Sequence, residues 1–246
     1  MFKFKGKRSD EMHLIIENNV GFASPERDLE FIAIPGRDGE LIIDNKRYGS
    51  VTRTIPCVLS LPKDESVEHV ATKIGNWLNV DHQYHDFHWA EDPEFVYRAM
   101  FYESFNLQRV IRRFGRLVLN FKMHPIKYLK SSLVERSVAS GFNLHNPLTL
   151  PSKPIIKIVG HGDMRIRIND QEVVLSRIEE GGVIIDSENQ TVTTLDGRWS
   201  QARHLVTYPF PVLEVGNNVI TYQADNSLRL SRIDSVSIVP RFGELI

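Results

Sequence analysis

Between Val80 and Asp92 the chain gathers Asp81, His82, His85, Asp86, His88, Glu91 and Asp92. Imidazole and carboxylate together suit a zinc-type cation, and His-x-x-His-x-x-His invites that reading. Histidines at every third position converge only in a 3₁₀ turn or a loop, however. No Cys or His elsewhere shows the paired spacing that would complete a site. The segment reads instead as a polar loop anchored to a core by Phe87 and Trp89, with no metal and no cofactor expected.

The other chemical candidates are weaker. Arg109, Arg112, Arg113 and Arg116 could touch phosphate. The run lacks the aromatic interleaving of single-strand binders, and the chain has a formal net charge of -1. A solvated or interfacial strand end accounts for it better. Gly160-x-Gly162 follows a strand as phosphate-cradling loops do, but it leads into a second strand rather than a helix N-terminus, so a hairpin is expected. Glu179-Glu180 and Glu91-Asp92 lie in turn-like sequence with nothing to make one member an acid and the other a base. No Gly-x-Ser-x-Gly elbow, Walker loop or His-Glu-x-x-His occurs. No catalytic set is expected, and the chain is not read as an enzyme.

The stretch around which the rest is organised is Ile34-Pro35-Gly36-Arg37-Asp38-Gly39-Glu40-Leu41. Pro35 fixes φ and removes a donor, while Gly36 and Gly39 permit positive φ. Arg37, Asp38 and Glu40 set a guanidinium fork beside two carboxylates, so a rigid, charged connection between two strands is available to pair with a neighbour.

Those strands are Leu29–Ile34, near the alternation of a half-buried strand, and Leu41–Ile43, which a turn over Asp44–Gly49 follows. Met12–Ile16 is a strand closed by a turn at Glu17-Asn18-Asn19. Val51, Ile55, Cys57 and Leu59 share one face of another strand, and Pro56 inside it predicts an edge or a bulge. Tyr97, Ala99 and Phe101, then Leu117, Leu119, Phe121 and Met123, give further alternating faces. Val67, Val70, Ala71, Ile74, Trp77 and Leu78 fall at helical spacing, with Asp64 or Ser66 to cap the start and Asn79 to end it. This lone helix is expected to cover a sheet.

From His124 to Pro154 prolines are frequent and no period is sustained, which places a domain boundary near Ile126–Lys130. Beyond it, short strands are punctuated at Asn169-Asp170, Gly181-Gly182, Asp196-Gly197, Gly216-Asn217-Asn218 and Asp225-Asn226, the pattern of an antiparallel β-sandwich. The expected division is 1–128, a β-rich domain with one α-helix, and 129–246, a sandwich; the fold class is mainly β. The 246 residues can bury one large core or two ordinary ones. A pI near 6.8 argues against bulk attraction to nucleic acid or anionic membrane. A single cysteine, Cys57, suits a reducing compartment. Neither a signal peptide nor a membrane span is legible, so synthesis in a cytoplasm is expected.

In motif order the sequence resembles the distal tail proteins of siphophages, the baseplate hubs of long non-contractile tails. The resemblance rests on Pro35 to Leu41, on Asp92-Pro93-Glu94-Phe95-Val96-Tyr97-Arg98-Ala99 and on Phe114-Gly115. It continues through Leu119-Asn120-Phe121-Lys122-Met123-His124-Pro125, Ser152 to Ile158, Gly160-His161-Gly162-Asp163, Ile184 to Glu188 and Phe210 to Ile220. His124 departs from the small or sulfur-bearing residue expected there. The resemblance implies a ring-forming first domain and a galectin-like second one pointing outward. It implies a homo-hexameric ring joining the tail tube to tail-fibre or receptor-binding proteins, with DNA only in transit. It places the protein in the virion tail tip after assembly in the host cytoplasm, and offers Pro35, Gly36, Arg37, Asp38, Gly39 and Glu40 as interface residues. The alternative is a carbohydrate-binding module for cell-wall attachment, for which Trp199 and Tyr208 are the nearby aromatic candidates.

Overall fold

Apolar residues at every second position along its long strands build the first sheet. The computed structural model describes residues 1–246 except 18–19, 22, 64, 79–80, 82, 112 and 226–229. Expectations that fall on Asn18, Asn19, Asp64, Asn79, Val80, His82, Arg112 and Asn226 lie outside the described residues. The chain forms two units, Met1–Lys127 with Leu245–Ile246, and Tyr128–Glu244.

The first unit contains β1 (Phe2–Phe4), β2 (Lys7–Arg8), β3 (Leu14–Ile16), β4 (Arg27–Ala33), β5 (Glu40–Tyr48), β6 (Val51–Ser60), α1 (Val67–Trp77), β7 (His85–Trp89), β8 (Phe95–Phe101), β9 (Gln108–Ile111) and β10 (Phe114–Met123). Its main sheet runs β2-β1-β7-β8-β10-β6-β3 with antiparallel neighbours. Ile55, Cys57 and Leu59 of β6 and Leu117, Leu119, Phe121 and Met123 of β10 are almost wholly buried on its inner face. There α1 lays down Val67, Val70, Ile74 and Trp77. Ser66 caps this helix, its Oγ accepting from the His69 amide at 3.2 Å. The Trp77 indole N–H donates to the Phe4 carbonyl at 2.9 Å, so the largest apolar group in the helix has its polar atom satisfied. Phe2, Phe4, Phe87 and Phe121 pack ring against ring beside it.

Three details differ from the sequence reading. His85–Trp89 is a strand rather than a loop, because Phe87 and Trp89 alternate into the core and pair the segment with β1 and β8. Pro56 lies in a strand paired along its whole length to β10. Its missing N–H faces the side where β3 ends, and there its carbonyl accepts from the Glu17 amide at 3.0 Å. Asp44–Tyr48 is strand and not turn: β5 continues through Lys46, which takes φ 55°.

The second unit contains β12 (Arg136–Val138), β13 (Phe142–Asn146), β14 (Ile155–Ile168), β15 (Gln171–Ile178), β16 (Val183–Asp186), β17 (Thr191–Thr194), β18 (Gly216–Asp225) and β19 (Arg232–Val239); the connecting strand β11 (Ile126–Leu129) precedes them and β20 (Gly243–Leu245) follows. Strand β14 spans both of the unit's sheets. Its first half pairs with β16 and β19, its second with β15 and β18. Gly160-x-Gly162 is therefore not a hairpin but the corner at which one strand changes sheets. A Cβ on Gly160 would lie 2.2 Å from the Arg232 carbonyl oxygen, so the corner admits no side chain there. Asn217 and Asn218, expected in a turn, belong to β18. The amide of Asn218 is buried and donates to the carbonyls of Glu214 and Gly216. Ile156, Ile158, Met164, Ile166, Ile168, Leu175 and Ile185 form the centre of this unit's core.

Candidate self-assembly interface

Strands β4 and β5 pair only with each other, as a two-stranded hairpin outside the main sheet. The loop singled out from the sequence is its tip. The Arg37 amide donates to the Ile34 carbonyl at 3.1 Å, with Pro35 second in the turn and Gly36 third at φ 80°. That is a type II turn, which requires the glycine. Gly39 at φ 77° turns the chain into β5. Pro35, Gly36, Arg37, Asp38, Gly39 and Glu40 are all exposed. The side chains of Arg37, Asp38 and Glu40 make no ion pair with one another or with any described residue, so their bonding capacity faces outward.

The base of the hairpin is the opposite case. Arg27 Nε and Nη2 donate to Asp44 Oδ1 and Oδ2 at 2.9 and 2.7 Å, and the guanidinium lies 4.7 Å from the centre of the Tyr48 ring. Arg47 pairs with Asp28, and Asn45 Nδ2 donates to Asp28 Oδ1 at 3.2 Å. The hydrogen bond from Arg27, then that from the Lys46 amide, hold the Asp44 carboxyl below the usual carboxylate range. The bonds from Asn45 and Arg47 do the same for Asp28. A two-stranded hairpin is marginal in water, and these contacts fix its root.

Between root and tip the surface is apolar on both faces. Register sets Phe31 opposite Ile42 on one face, and Ile32 opposite Leu41 on the other, with Ile43 two residues along. Phe31 is 56% exposed, Ile42 58% and Ile32 42%. Of the half-buried strand expected here, only Leu29 is half-buried within one chain; Glu30 to Ile34 are exposed. Monomers rarely leave so contiguous an apolar surface in water. The sequence reading missed this two-faced arm, although Phe31-Ile32-Ala33-Ile34 and Leu41-Ile42-Ile43 are unbroken apolar runs, the pattern of strands covered on both sides.

The remaining candidates are not brought together. His85 and His88 lie on opposite faces of β7; His85 points inward, edge-on to Phe4, with Nε2 2.6 Å from Asp81 Oδ2. Among the described residues no group of three His, Cys, Asp or Glu side chains could hold a metal ion. Arg113 donates to the Leu61 carbonyl and Arg116 pairs with Glu17 at 3.5 Å, so each of these two arginines has a partner of its own. Asp92 is held by the Tyr97 hydroxyl and by Lys127 Nζ at 2.9 Å, and Glu179 by Arg203. Burial pushes the Asp92 carboxyl up, but those two hydrogen bonds outweigh it and its pKa is lowered. Trp199 is 70% and Tyr208 73% exposed, and the Tyr208 ring lies edge-on to Phe210. No described helix is long and apolar enough to cross a membrane.

Among solved structures, the chain has the fold of the Dit protein of phage SPP1, described as a paradigm of the hub of the adsorption apparatus in phages that infect Gram-positive bacteria. The TM-score is 0.73 over 100% of this chain and 98% of that one, at 14% sequence identity. The baseplate of phage p2, in its activated conformation with Sr, gives 0.46 over 92% and 90% at 8% identity, too low to speak for the fold. No protein-family model matches the sequence, and no curated protein does.

Proposed function

We propose that this chain is a structural hub of a siphophage tail tip. Six copies close into a ring that joins the tail tube to tail-fibre or receptor-binding proteins, and DNA passes through it without being bound. The observation that carries this reading is the β4–β5 arm: rigid at its root, apolar on both faces and uncovered in the single chain. An arm of that kind is stable in water only when another surface covers it, and a neighbouring copy supplies one in a symmetric assembly. The likeness of fold to the SPP1 hub protein supports the setting. The division into a ring-forming first domain and an outward second domain belongs to the same reading, as do virion location and assembly in the host cytoplasm.

The test is the native mass of the purified chain, measured beside a Phe31→Asp/Ile42→Asp variant. The reading expects a closed oligomer of six for the parent chain and a folded monomer for the variant. A parent chain that stays monomeric up to high concentration opposes it.

Sugar binding by the second unit is the second reading, favoured by the exposure of Trp199 and Tyr208. The described ring contacts set Tyr208 against Phe210 rather than beside Trp199, so the two do not form one stacked platform.

A further inference from the structure

Among the described residues, the strand edges of the second unit are blunted, with one exception. Unpaired edges invite other chains, and proteins protect them with cover, charge or shortness. The free side of β15 is covered by the chain itself: Leu205 bridges to Leu175, and the Val206 amide donates to the Val174 carbonyl at 2.9 Å. The free side of β17 takes Ser200 against Thr193, and the Gln201 amide donates to the Val192 carbonyl at 2.7 Å. Strand β12 is three residues long and carries Arg136. Strand β13, Phe142-Asn143-Leu144-His145-Asn146, has neither cover nor charge, and it pairs with β18 alone.

Register shows what this edge offers. The Val219 amide donates to Asn169 Oδ1 at 2.9 Å, and its carbonyl accepts from the Asn169 amide at 3.0 Å, so both groups face away from β13. Asn143 lies opposite Val219, and the two form a pair without mutual hydrogen bonds. The amide and carbonyl of Asn143 therefore turn to the open side, and those of His145, two residues on, do the same. Both ends of the edge are fixed. Ser140 Oγ accepts from the Tyr222 amide at 3.0 Å and donates to its carbonyl at 3.1 Å, which completes the β18 ladder before β13 begins. The Asn146 side chain donates to the Leu150 carbonyl at 2.9 Å and accepts from the Leu148 amide at 3.1 Å. Leu144 is buried in the core, while Phe142, on the same face, is 38% exposed at its margin.

We infer that β13 is a docking edge on which an extended segment of a partner protein adds a strand. The inference rests on the hub reading and adds to it the place where an attached protein is held. The segment that fits alternates, with apolar residues over Phe142 and Leu144 and uncharged polar ones beside Asn143 and His145. A second copy of this chain is a poorer occupant. Two such strands set edge to edge overlap for only about 17 Å, a contact far short of the ~1,200 Å² that a stable interface buries. A segment tethered to a partner's folded body needs only register and direction from the edge.

The test selects random peptides, long enough to span β13, for binding to the full-length chain, and titrates those selected against two variants. Asn143→Pro/His145→Pro removes both outward donors and leaves the β18 ladder alone. It is expected to keep the parent's melting temperature and to weaken binding at least about tenfold. Asn143→Ala/His145→Ala keeps the donors and is expected to bind as the parent does. Hydrogen exchange is expected to find the amides of Asn143 and His145 open in the free chain and protected in the complex. If the proline variant fails to fold, the alanine variant and the exchange decide. Peptides that bind the proline variant as well as the parent, the two amides unprotected in the complex, or a selection without any saturable binder each overturn the docking edge. Native mass reports the ring separately. A monomeric chain that still takes the peptide at β13 loses the ring and keeps the edge, and a ring that takes no peptide does the reverse.

Discussion

Arg241 and Asp186 meet as a fork on a fork: Nη1 lies 2.6 Å from Oδ1 and Nη2 3.2 Å from Oδ2. Glu188 adds a second carboxylate 3.3 Å from Nη1 and takes the Tyr128 hydroxyl at 2.7 Å. Both ends of the second unit are thereby tied to the turn after β16. Burial raises the Asp186 pKa, but the bonds from Arg241 and the Asn189 amide outweigh it and hold the carboxyl below its usual range. Arg241→Met removes the bidentate partner of Asp186 in a site where the guanidinium is 10% exposed. The expected loss is about 2–4 kcal/mol, read from urea unfolding. Adding Asp186→Asn should restore part of it.

At the tip of the hairpin, Arg37→Glu is expected to leave the monomer folded and to impair ring assembly, since the Arg37 side chain makes no ion pair with any described residue. A desolvated Arg–carboxylate contact at each interface would make the loss roughly 2–5 kcal/mol per contact, against about 0–1 for a solvated pair. Circular dichroism melts beside native mass separate the cases. Unchanged melting with intact rings would show the loop to be merely solvated.

Gly160→Ala is expected to destabilise the second unit by about 3 kcal/mol. The added carbon would press on backbone, the Arg232 carbonyl and the Ile233 Cα, which cannot swing aside. Gly182→Ala, with its Cβ 2.0 Å from the Ile158 carbonyl oxygen, should behave alike. Gly197→Ala, in open space but at φ 72°, should cost less. Denaturant midpoints of the three variants give the ranking.

Asp81 accepts from Lys5 Nζ at 3.0 Å and from His85, and the hydrogen bond from Lys5 leads in lowering its pKa to about 2. The folded state thus holds fewer protons here than the unfolded chain, whose value is about 4. The resulting stability is present above pH ~4 and is lost as pH falls toward 2. Asp81→Asn is expected to flatten the fall in urea midpoint across that window. A slope identical to the parent's would assign the acid sensitivity to other carboxylates.

Cell-wall polysaccharide is expected not to bind appreciably, because the exposed aromatics of the second unit are not gathered into one platform. A saturable glycan-array signal that disappears on Trp199→Ala would reverse this.

The first sheet was legible because Ile55, Cys57 and Leu59, and Leu117, Leu119, Phe121 and Met123, recur at every second position, and α1 because six apolar residues fall on one helical stripe. The His-rich strand β7 was not, since its two buried anchors are outnumbered by polar neighbours. Nor was the corner at Gly160: a strand that changes sheets and a hairpin both ask for glycine between apolar runs. The tip loop was found by its turn chemistry, but the exposure of the arm behind it was hidden for a different reason. Burial against a second copy and burial within one chain select the same residues, so a pattern such as Phe31-Ile32 cannot say which surface covers it.

Strand β14 also sets a schedule. Its partner β19 is translated long after it, and at about 5–20 residues per second the gap between Ile168 and Val239 lasts roughly 4–14 s. Until β19 emerges, Ile155-Ile156-Lys157-Ile158-Val159 has a bare edge on that side, the kind of segment that recruits other nascent chains. The yield of soluble protein is then governed by how quickly the ribosome delivers residues 232–239, and slowing translation between Asn169 and Arg232 lengthens the hazard.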